Sequence, residues 1–282
     1  MRVALVTCVR PPEPDPDELP LRDGLRAAGV DAHVHAWDDP AFDAAEFDLL
    51  VLRSTWNYYK HIDRFLAWCD AAGRASRVLN PPDVVRANAH KGYLRDLDRR
   101  GLAVVPTVWV DRGQSPDLGS VMRDRGWDDV VVKPAVSAGS WRTKRFRRDE
   151  AEAGSDFLGE IAADGDAMVQ RYLPSVEAGG ERSILWIAGE VTHVIVKHPR
   201  FAGQDERVEL GAAPGALERE IVRMALNGLE DRLLYARVDV MAGDDGEPLV
   251  SEVELIEPSL FLLEHPPALE RLVTAIAMVG RR

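Results

Sequence analysis

The chain has 282 residues, 46% of them hydrophobic, and a formal net charge of −12 at pH 7. That length allows one large domain or two to three small ones, and the hydrophobic content supports an ample core. The acidic balance argues against a nucleic-acid partner, because nucleic-acid-binding proteins normally present a basic face.

Signals for export or membrane insertion are not evident. The first apolar run, at 3–9, is too short for the core of a signal peptide, and no apolar run approaches the length that spans a bilayer. The two cysteines, Cys8 and Cys69, are too few for a disulfide framework and are interpreted as buried small residues. We therefore expect a cytoplasmic protein that acts on a small-molecule substrate and has no membrane partner.

Short apolar runs alternate with helical patterns over the first 82 residues. The predicted strands lie at 3–9, 30–36, 47–52 and 78–79, and the predicted helices at 21–28 and 62–72. This β-α-β order predicts a small open parallel sheet, and such sheets bind ligands at the carboxyl ends of their strands. Arg53, Ser54 and Thr55 lie at such an end and are candidate substrate-binding residues. Arg53 is either a two-pronged clamp for a substrate carboxylate or a surface loop residue.

The middle of the chain begins with a charged helical pattern at 84–100, which contains Lys91. A strand is predicted at 104–110, a helix at 118–125 and a second strand at 130–134. A further strand is predicted at 167–173, followed by two strands around a turn within 184–199. Helices are predicted at 216–227 and 269–279, and the Gly/Gln/Asp segment at 201–206 is predicted to be a flexible loop.

Lys133 lies between apolar residues of the strand at 130–134. It is either an edge-strand lysine that blocks sheet pairing or a functional cation, since lysines in buried strands rarely serve packing. The small residues at 135–140 follow directly, and their backbone N–H groups can approach phosphate oxygens. The basic stretch at 141–148 is either a solvated hairpin face or a mobile cover for an anionic ligand.

Acidic residues follow a pattern in the hairpin predicted at 234–263. Asp239 lies in its first strand, and Glu252 and Glu254 lie two apart in its second, so that these two side chains leave the same face. Three converging carboxylates form a hard oxygen site that suits Mg²⁺, which shares its coordination with substrate phosphates. The alternative is a strand with one solvated acidic face. The strongly apolar strand around Glu252, Glu254 and Glu257 favours the metal site.

Six features follow one another along the chain: a helix-borne Lys91, a strand Lys133, a small-residue loop, a Gln-Arg-Tyr-Leu hinge, an Asp strand and a Glu-x-Glu strand followed by Pro-Ser. In this order they resemble the ATP-grasp superfamily, and the resemblance covers nearly the whole chain. The resemblance implies an α/β (α+β) ATP-grasp fold in three parts. These are an N-terminal open parallel-sheet domain at 1–85, a small lid region at 86–169 and a C-terminal antiparallel-sheet catalytic domain at 170–282.

The resemblance also implies ATP and Mg²⁺ as cofactors, with two ions expected, and it assigns a role to each candidate residue. The nucleotide would be bound by Lys91, Lys133, the lid-loop residues Ser137, Gly139 and Ser140, the hinge residues Gln170, Arg171 and Leu173, and Glu181 near the ribose. The metal ligands would be Asp239, Glu252 and Glu254. The catalytic cations would be Lys197, Arg207 and Arg237, and the substrate would be bound by Arg53, Ser54, Thr55 and Ser259.

Two residues depart from the family pattern. Glu254 stands where the family often has Asn, which keeps an oxygen ligand and adds charge. Ser183 stands where members similar to glutathione synthetase commonly have Arg, so a phosphate contact would fall to Lys197 or Arg207. Arg237 is expected to share the face of Asp239, as a phosphate ligand or as a counter-charge for the acids.

Three longer stretches are similar to the cyclo-ligases of D-cycloserine biosynthesis. They are RSTWNY from Arg53, LNPPDVVRANAHKGYL from Leu79 and ELIEPSLF from Glu254. The resemblance implies an ATP-dependent carboxylate–amine ligase that forms an acyl phosphate, releases ADP and phosphate, and closes a ring within one small amino-acid-like substrate. It is also compatible with a homodimer. The alternatives are a phosphotransferase, a peptide-directed or carrier-directed ligase, and a non-catalytic nucleotide-binding module.

Overall fold

The computed structural model describes residues 1–199 and 207–279, which form three sheets with helices packed against them. The first sheet has the order β2-β1-β3-β4 and is parallel throughout. Its strands are β1 Arg2–Thr7, β2 Asp31–Ala36, β3 Leu49–Leu52 and β4 Arg77–Leu79. The helices of this part are α1 Glu18–Ala27, α2 Ile62–Ala75 and α3 Pro82–Asn88. The parallel order confirms the predicted open sheet at the N-terminus.

The second sheet is antiparallel, with the order β5-β8-β6-β7. Its strands are β5 Thr107–Val110, β6 Asp129–Pro134, β7 Lys144–Arg147 and β8 Ala167–Arg171. The helices of this part are α5 Leu118–Arg125 and α6 Ala151–Asp164, whereas the preceding helix, α4 Tyr93–Arg99, packs into a core shared with the third sheet. Helices α5 and α6 cover one face of the sheet and enclose a separate core with it.

The third sheet is also antiparallel, with the order β11-β10-β9-β12-β13. Its strands are β9 Glu181–Ile187, β10 Glu190–Lys197, β11 Val208–Leu210, β12 Tyr235–Ala242 and β13 Pro248–Glu254. The helices of this part are α7 Ser175–Gly179, α8 Ala216–Ala225 and α9 Pro266–Val279. The three sheets together confirm the predicted ATP-grasp fold class, whereas the division at 85/86 and 169/170 stays a prediction.

The first and third sheets share a hydrophobic core, to which α1 and α9 contribute. Asn80 joins the two sheets by hydrogen bonds: its side-chain amide donates to the carbonyls of Tyr235 (2.9 Å) and Leu255 (2.7 Å) and accepts from the Leu234 amide (2.7 Å). Asn80 is fully buried. Because all three bonds are made away from water, the N-terminal sheet is held at a fixed position against the strands that carry the acids.

Two sequence predictions about the helices are corrected by the structure. The pattern at 84–100 is not one helix: α3 ends at Asn88, α4 begins at Tyr93, and Lys91 lies in the turn between them. The Lys91 amide donates to the Ala135 carbonyl (2.8 Å), a tertiary contact that a continuous helix would prevent. Helix α6, which the sequence analysis did not assign, covers the second sheet. The predicted flexible loop at 201–206 lies outside the described residues.

No helix in the described part of the chain is both long and apolar enough to cross a membrane.

Candidate active site

A cavity of about 350 Å³ lies where the three sheets approach one another. Most of the candidate residues line it. They are Lys91, Lys133, Ser137, Gly139, Ser140, Gln170, Glu181, Lys197, Arg237, Glu252, Glu254 and Ser259. The N-terminal domain adds Trp56 and Tyr58, which the sequence analysis did not single out. Side chains from distant parts of the sequence therefore face one enclosed space.

The base of the cavity is the pair β12–β13. We call the face of this pair that carries Arg237, Asp239, Glu252 and Glu254 the acidic face. Asp239 is paired across the strands with Glu252, and Arg237 with Glu254. Because residues two apart in a strand share a face, all four side chains point the same way. The prediction that Arg237 shares the face of Asp239 is confirmed.

The outer edge of β13 is closed by a short backbone bridge and by side chains rather than by a full strand. At the bridge, the Val250 amide donates to the Ala103 carbonyl (2.9 Å) and the Val250 carbonyl accepts from the Val105 amide (2.9 Å). The Asn88 amide donates to the Val253 carbonyl (2.8 Å) and accepts from the Leu255 amide (2.8 Å). The Tyr93 hydroxyl accepts from the Val253 amide (3.0 Å). These bonds satisfy the backbone of an edge strand and fix the position of the two glutamates it carries.

Every member of the acidic face is ion-paired. Arg237 Nε lies 2.9 Å from Asp239 Oδ1, and its Nη2 lies 2.5 Å from Glu254 Oε1. Lys91 Nζ lies 3.0 Å from Glu252 Oε1. The face is thus neutralised largely by cations of the chain itself, in contacts that a bound nucleotide or metal would have to reorganise.

Lys197 links β10 to this face. Its Nζ lies 2.8 Å from both Asp239 Oδ2 and Glu181 Oε2. Glu181 follows Gly180, whose φ is +70° and where a Cβ atom would lie 2.8 Å from the Lys197 carbonyl. Glycine at this position therefore lets β9 begin close enough to β10 for the pair to form.

The ion pairs and burial shift the pKa values of the three acids in different directions. Burial favours the neutral form of Asp239, but Arg237 and Lys197 outweigh it and hold the pKa of this carboxyl far below its ordinary value. Lys91 and Lys133 likewise outweigh burial and lower the pKa of Glu252. For Glu254, burial and the neighbouring acids prevail over Arg237 and raise the pKa to about 7.

The opposite wall of the cavity is the end of β6 and the loop that follows, at 137–143, which we call the lid loop. Lys91 Nζ donates to the Ser137 carbonyl (2.9 Å), which ties the start of the loop to the base. Gly139 and Ser140 both have φ of +58°. The loop ends against the N-terminal domain, where the rings of Trp141 and Tyr59 lie 4.8 Å apart.

Lys133 points into the cavity from β6, as its position in the lining shows. It is not at a sheet edge, because β6 pairs with β7 on one side and β8 on the other. The edge-lysine interpretation is therefore wrong. Burial lowers the pKa of its ammonium group, and no carboxylate of the described residues lies at ion-pair distance from it.

Arg53, Ser54 and Thr55 lie behind the cavity wall. Arg53 is 0% exposed, so the surface-loop interpretation is wrong, and its Nη1 donates to the Pro258 carbonyl (3.2 Å) next to Ser259. Its Nη2 lies 3.7 Å from Asp15 Oδ2. Ser54 and Thr55 are also buried, and neither lines the cavity. In this arrangement Arg53 reaches the cavity only through the segment that bears Ser259.

Several of the predicted hinge residues, 170–173, make contacts within the protein itself. The Arg171 amide donates to the Pro106 carbonyl (2.8 Å) and the Tyr172 amide to the Asp129 carbonyl (3.1 Å). The Arg171 side chain contacts Asp244 (2.6 Å), and Leu173 is buried. Gln170 alone of the predicted hinge residues lines the cavity.

Two further candidates lie outside the lining. Asp239 is 1% exposed, and its oxygens contact Arg237 and Lys197. Arg207 is exposed, and its carbonyl accepts from the His198 amide (3.0 Å). It follows directly on residues outside the described part of the chain.

The donor set fits Mg²⁺ when phosphates complete the coordination. Among the described residues no three His, Cys, Asp or Glu side chains are gathered closely enough to hold a metal ion by themselves. Glu252 and Glu254 nevertheless present carboxylates to the cavity. Mg²⁺ is commonly held by one or two carboxylates together with substrate phosphates and water.

Comparison with known proteins agrees with this geometry. The family profile of the N-terminal domain of D-cycloserine synthetase DcsG matches residues 3–80. The fold is shared with ATP-grasp ligase PsnB in complex with Mg and ADP (TM-score 0.66, 19% identity, 99% and 98% of the two chains). It is also shared with D-alanine–D-alanine ligase from Bacillus anthracis (TM-score 0.68, 15% identity, 100% and 98%). The chain therefore has the fold of an ATP-grasp ligase.

A higher similarity is found to one branch of that class. Cycloserine biosynthesis protein DcsG from Streptomyces lavendulae is 31% identical over 98% of this chain and 97% of its own length. The crystal structure of D-cycloserine synthetase DcsG superposes with a TM-score of 0.89 at 30% identity, over 99% of each chain. The protein belongs to the ATP-grasp family of D-cycloserine synthetase DcsG.

Proposed function

We propose that the protein is an ATP-dependent carboxylate–amine ligase that activates a small amino-acid-like substrate as an acyl phosphate and joins it to an amine. The observation that carries this proposal is the cavity itself. It brings three lysines, Lys91, Lys133 and Lys197, together with the carboxylates of Glu252 and Glu254. Phosphoryl transfer needs charge neutralisation and alignment of this kind more than it needs protein acids and bases.

Glu252 and Glu254 would hold Mg²⁺, with Asp239 supporting them from behind, and two ions are expected. When bound, Mg²⁺ neutralises the β- and γ-phosphate charge and aligns the transferred group. Asp239 holds Lys197 and Arg237 at 2.8 and 2.9 Å, so it positions the cations that would surround the phosphates.

The nucleotide would lie between the acidic face and the lid loop. Lys133 is available for a phosphate because it forms no ion pair in the described structure. Lys91 already contacts Ser137, so it would couple phosphate binding to the lid loop, including Gly139 and Ser140. Gln170, Arg171 and Leu173 are proposed to hold the adenine, and Glu181 the ribose.

The acyl phosphate must be protected, because water would hydrolyse it. The lid loop is the element that would exclude water, and its Trp141 already meets Tyr59 of the N-terminal domain. Lys197, Arg237 and Arg207 are proposed to stabilise charge on the transferred phosphoryl group. Ser259 would contact the substrate.

Behind Ser259, Arg53 holds the Pro258 carbonyl, and with Ser54 and Thr55 it is proposed to shape the substrate end of the cavity. Similarity to proteins named for cycloserine biosynthesis supports an intramolecular ring closure as the form of ligation. It likewise supports antibiotic biosynthesis as the setting, with ADP and phosphate as the released products.

Nucleotide turnover against a panel of small compounds tests this proposal. The panel would contain amino acids and their ureido, hydroxamate and aminooxy derivatives, alone and in pairs, with ADP, AMP and phosphate measured together. We expect ADP and phosphate with a single compound, as ring closure requires. Turnover only with pairs would indicate intermolecular ligation.

Two results would contradict parts of the proposal. AMP and pyrophosphate in place of ADP and phosphate would overturn the acyl-phosphate mechanism. If no compound of the panel supports turnover although Mg-ATP binds tightly, the proposal of a small substrate is contradicted. A peptide or carrier-bound substrate is then favoured.

A further inference from the structure

The charged side chains that line the cavity are nearly all paired, and the exceptions lie in different parts of it. Lys91, Lys197, Arg237, Glu252 and Glu254 each form at least one ion pair. Within the described part of the chain, Lys133 and Glu257 line the cavity without an ion pair or a side-chain hydrogen bond. The proposed function gives Lys133 a role as a ligand of the nucleotide phosphates, whereas it gives Glu257 no role.

Glu257 is a buried acid that faces the cavity. It is 6% exposed, and its backbone is fixed because its carbonyl accepts from Trp56 Nε1 (3.0 Å). Burial and the nearby Glu254 raise the pKa of its carboxyl well above the ordinary value. An acid in this setting gains more than an exposed one from a cationic partner, because no water competes for it.

Tyr58 is the second polar group beside it. The residue is 5% exposed, its ring stacks on Phe65 with centroids 5.1 Å apart, and it lines the cavity. Its hydroxyl has no hydrogen-bond partner among the described residues. After burial, the charge of Glu257 is the strongest influence that raises the pKa of this hydroxyl. Both residues line the cavity, and Trp56, two residues before Tyr58, is hydrogen-bonded to the Glu257 carbonyl, so Tyr58 and Glu257 lie on adjoining segments of the cavity wall.

The contacts of Lys91 and Trp56 give the order of residues along the cavity. Lys91 Nζ lies 2.9 Å from the Ser137 carbonyl, just after the strand of Lys133, and 3.0 Å from Glu252 of β13. Glu257 lies three residues beyond β13, and its carbonyl is bonded to Trp56, two residues before Tyr58. The cavity therefore runs from Lys133, past Lys91 and Glu252, to Glu257 and Tyr58.

We propose that Glu257 and Tyr58 form a subsite for the ammonium group of the substrate. The carboxylate of Glu257 and the hydroxyl oxygen of Tyr58 supply two hydrogen-bond acceptors, and an ammonium group supplies three donors. The subsite selects a zwitterionic, amino-acid-like molecule over a simple carboxylic acid. It rests on the proposed function, since it presumes that the substrate carboxylate lies toward the phosphate-binding lysines.

Two probes that differ only in the ammonium group test the subsite. They are O-aminoserine and 3-(aminooxy)propanoate, which lacks the α-ammonium. Binding of each is measured by calorimetry in the presence of ADP and Mg²⁺, and ADP formation from ATP is measured separately. For the wild-type protein we expect O-aminoserine to bind at least about 10-fold more tightly than its counterpart.

Glu257→Gln removes the charge with little change of shape, and Tyr58→Phe removes only the hydroxyl. We expect Glu257→Gln to weaken O-aminoserine binding about 10- to 100-fold and Tyr58→Phe about 3- to 10-fold. Neither variant should change the affinity for 3-(aminooxy)propanoate or for ATP. Glu264→Gln, an exposed acid seven positions further along the chain, is the matched control and should bind like the wild type.

Three results would overturn the subsite. They are no binding of O-aminoserine by the wild type, equal affinity of the wild type for both probes, or an equal loss of affinity for both probes in Glu257→Gln. Failure of the proposed function gives a different pattern. In that case the wild type distinguishes the probes by binding, but neither probe produces ADP from ATP.

Discussion

The acidic face borders the same cavity as the opposite wall, which consists of the end of β6 and the lid loop and which we call the lid wall. The two differ in how their charges are balanced. On the acidic face, Arg237 pairs with Asp239 and Glu254, while Lys197 pairs with Asp239 and Lys91 with Glu252, at distances of 2.5 to 3.0 Å. On the lid wall, Lys133 has no ion-pair partner among the described residues. One side of the cavity is thus satisfied before any ligand binds, while the other presents a partly buried cation that a phosphate would satisfy.

The difference has a physical cause in the two sheets. Strand β13 is held at its outer edge by Asn88 and Tyr93, so the acids it carries cannot move apart to relieve their repulsion. Paired cations are therefore needed to keep these carboxylates buried. The lid wall carries its cation on β6, whose two neighbouring strands, β7 and β8, contain no acid, and Met168 of β8 lies opposite Lys133. Its unpaired charge favours an anionic ligand.

The largest effect is expected from Glu252→Gln, which tests the acidic face. This substitution removes a proposed metal ligand and the partner of Lys91, while the edge bonds of β13 remain. We expect phosphate release to fall by about 1,000-fold or more, with an unchanged thermal unfolding midpoint. Glu247→Gln, at an exposed position in the same hairpin, is the control, and near-normal activity of Glu252→Gln would rule out the metal assignment.

Lys133→Ala tests the lid wall and is expected to act on binding. Removing this partly buried, unpaired cation should weaken ATP binding about 10- to 100-fold by calorimetry, because a charge-assisted hydrogen bond to phosphate is lost. Lys144→Ala, an exposed lysine on the neighbouring strand, should leave the affinity unchanged. If the two variants bind ATP equally well, Lys133 does not contact the phosphates.

Trp141→Ala tests whether the lid wall must close against the N-terminal domain. Loss of the ring contact with Tyr59 should let water reach the acyl phosphate. We expect the ratio of ADP formed to ligated product to rise severalfold, with little change in ATP affinity. Leu210→Ala removes an exposed apolar side chain on the third sheet and serves as the control. An unchanged ratio would contradict the proposed water-excluding role of Trp141.

The smallest effect concerns a buried histidine behind the base of the cavity. His193 Nε2 donates to the Leu260 carbonyl (3.0 Å), and burial lowers the pKa of its imidazole from 6.5 to about 4. The unfolded chain therefore binds a proton between pH 6.5 and 4 that the folded chain excludes, so stability falls as the pH falls through this window. The full loss is up to about 3 kcal/mol.

His193→Gln keeps a side-chain donor and removes the titration. We expect the free energy of unfolding, measured with denaturant from pH 4 to 7, to depend less on pH in this variant than in the wild type. Exposed His61→Gln is the control and should keep the wild-type slope. Identical slopes for His193→Gln and the wild type would mean that His193 is charged in the folded protein.

The predicted elements agreed with the structure where the local sequence pattern alone determines the element. Helix α5 has the predicted bounds 118–125, and the strands of the hairpin, β12 and β13, carry the acids on one face as predicted. The helix predicted at 84–100 was wrong because the break at Lys91 comes from a tertiary bond to Ala135. No local pattern reports such a contact.

By itself, the sequence determined which chemical groups the protein carries and on which strands they lie. Strand alternation placed Asp239 and Arg237 on one face, since this depends only on the period of two. Tertiary structure decided which groups meet. Trp56 and Glu257 are 201 residues apart in sequence and are joined by a hydrogen bond, and Arg53 is a buried residue rather than a surface loop residue. Burial and pairing depend on how the three sheets pack, which only the folded chain specifies.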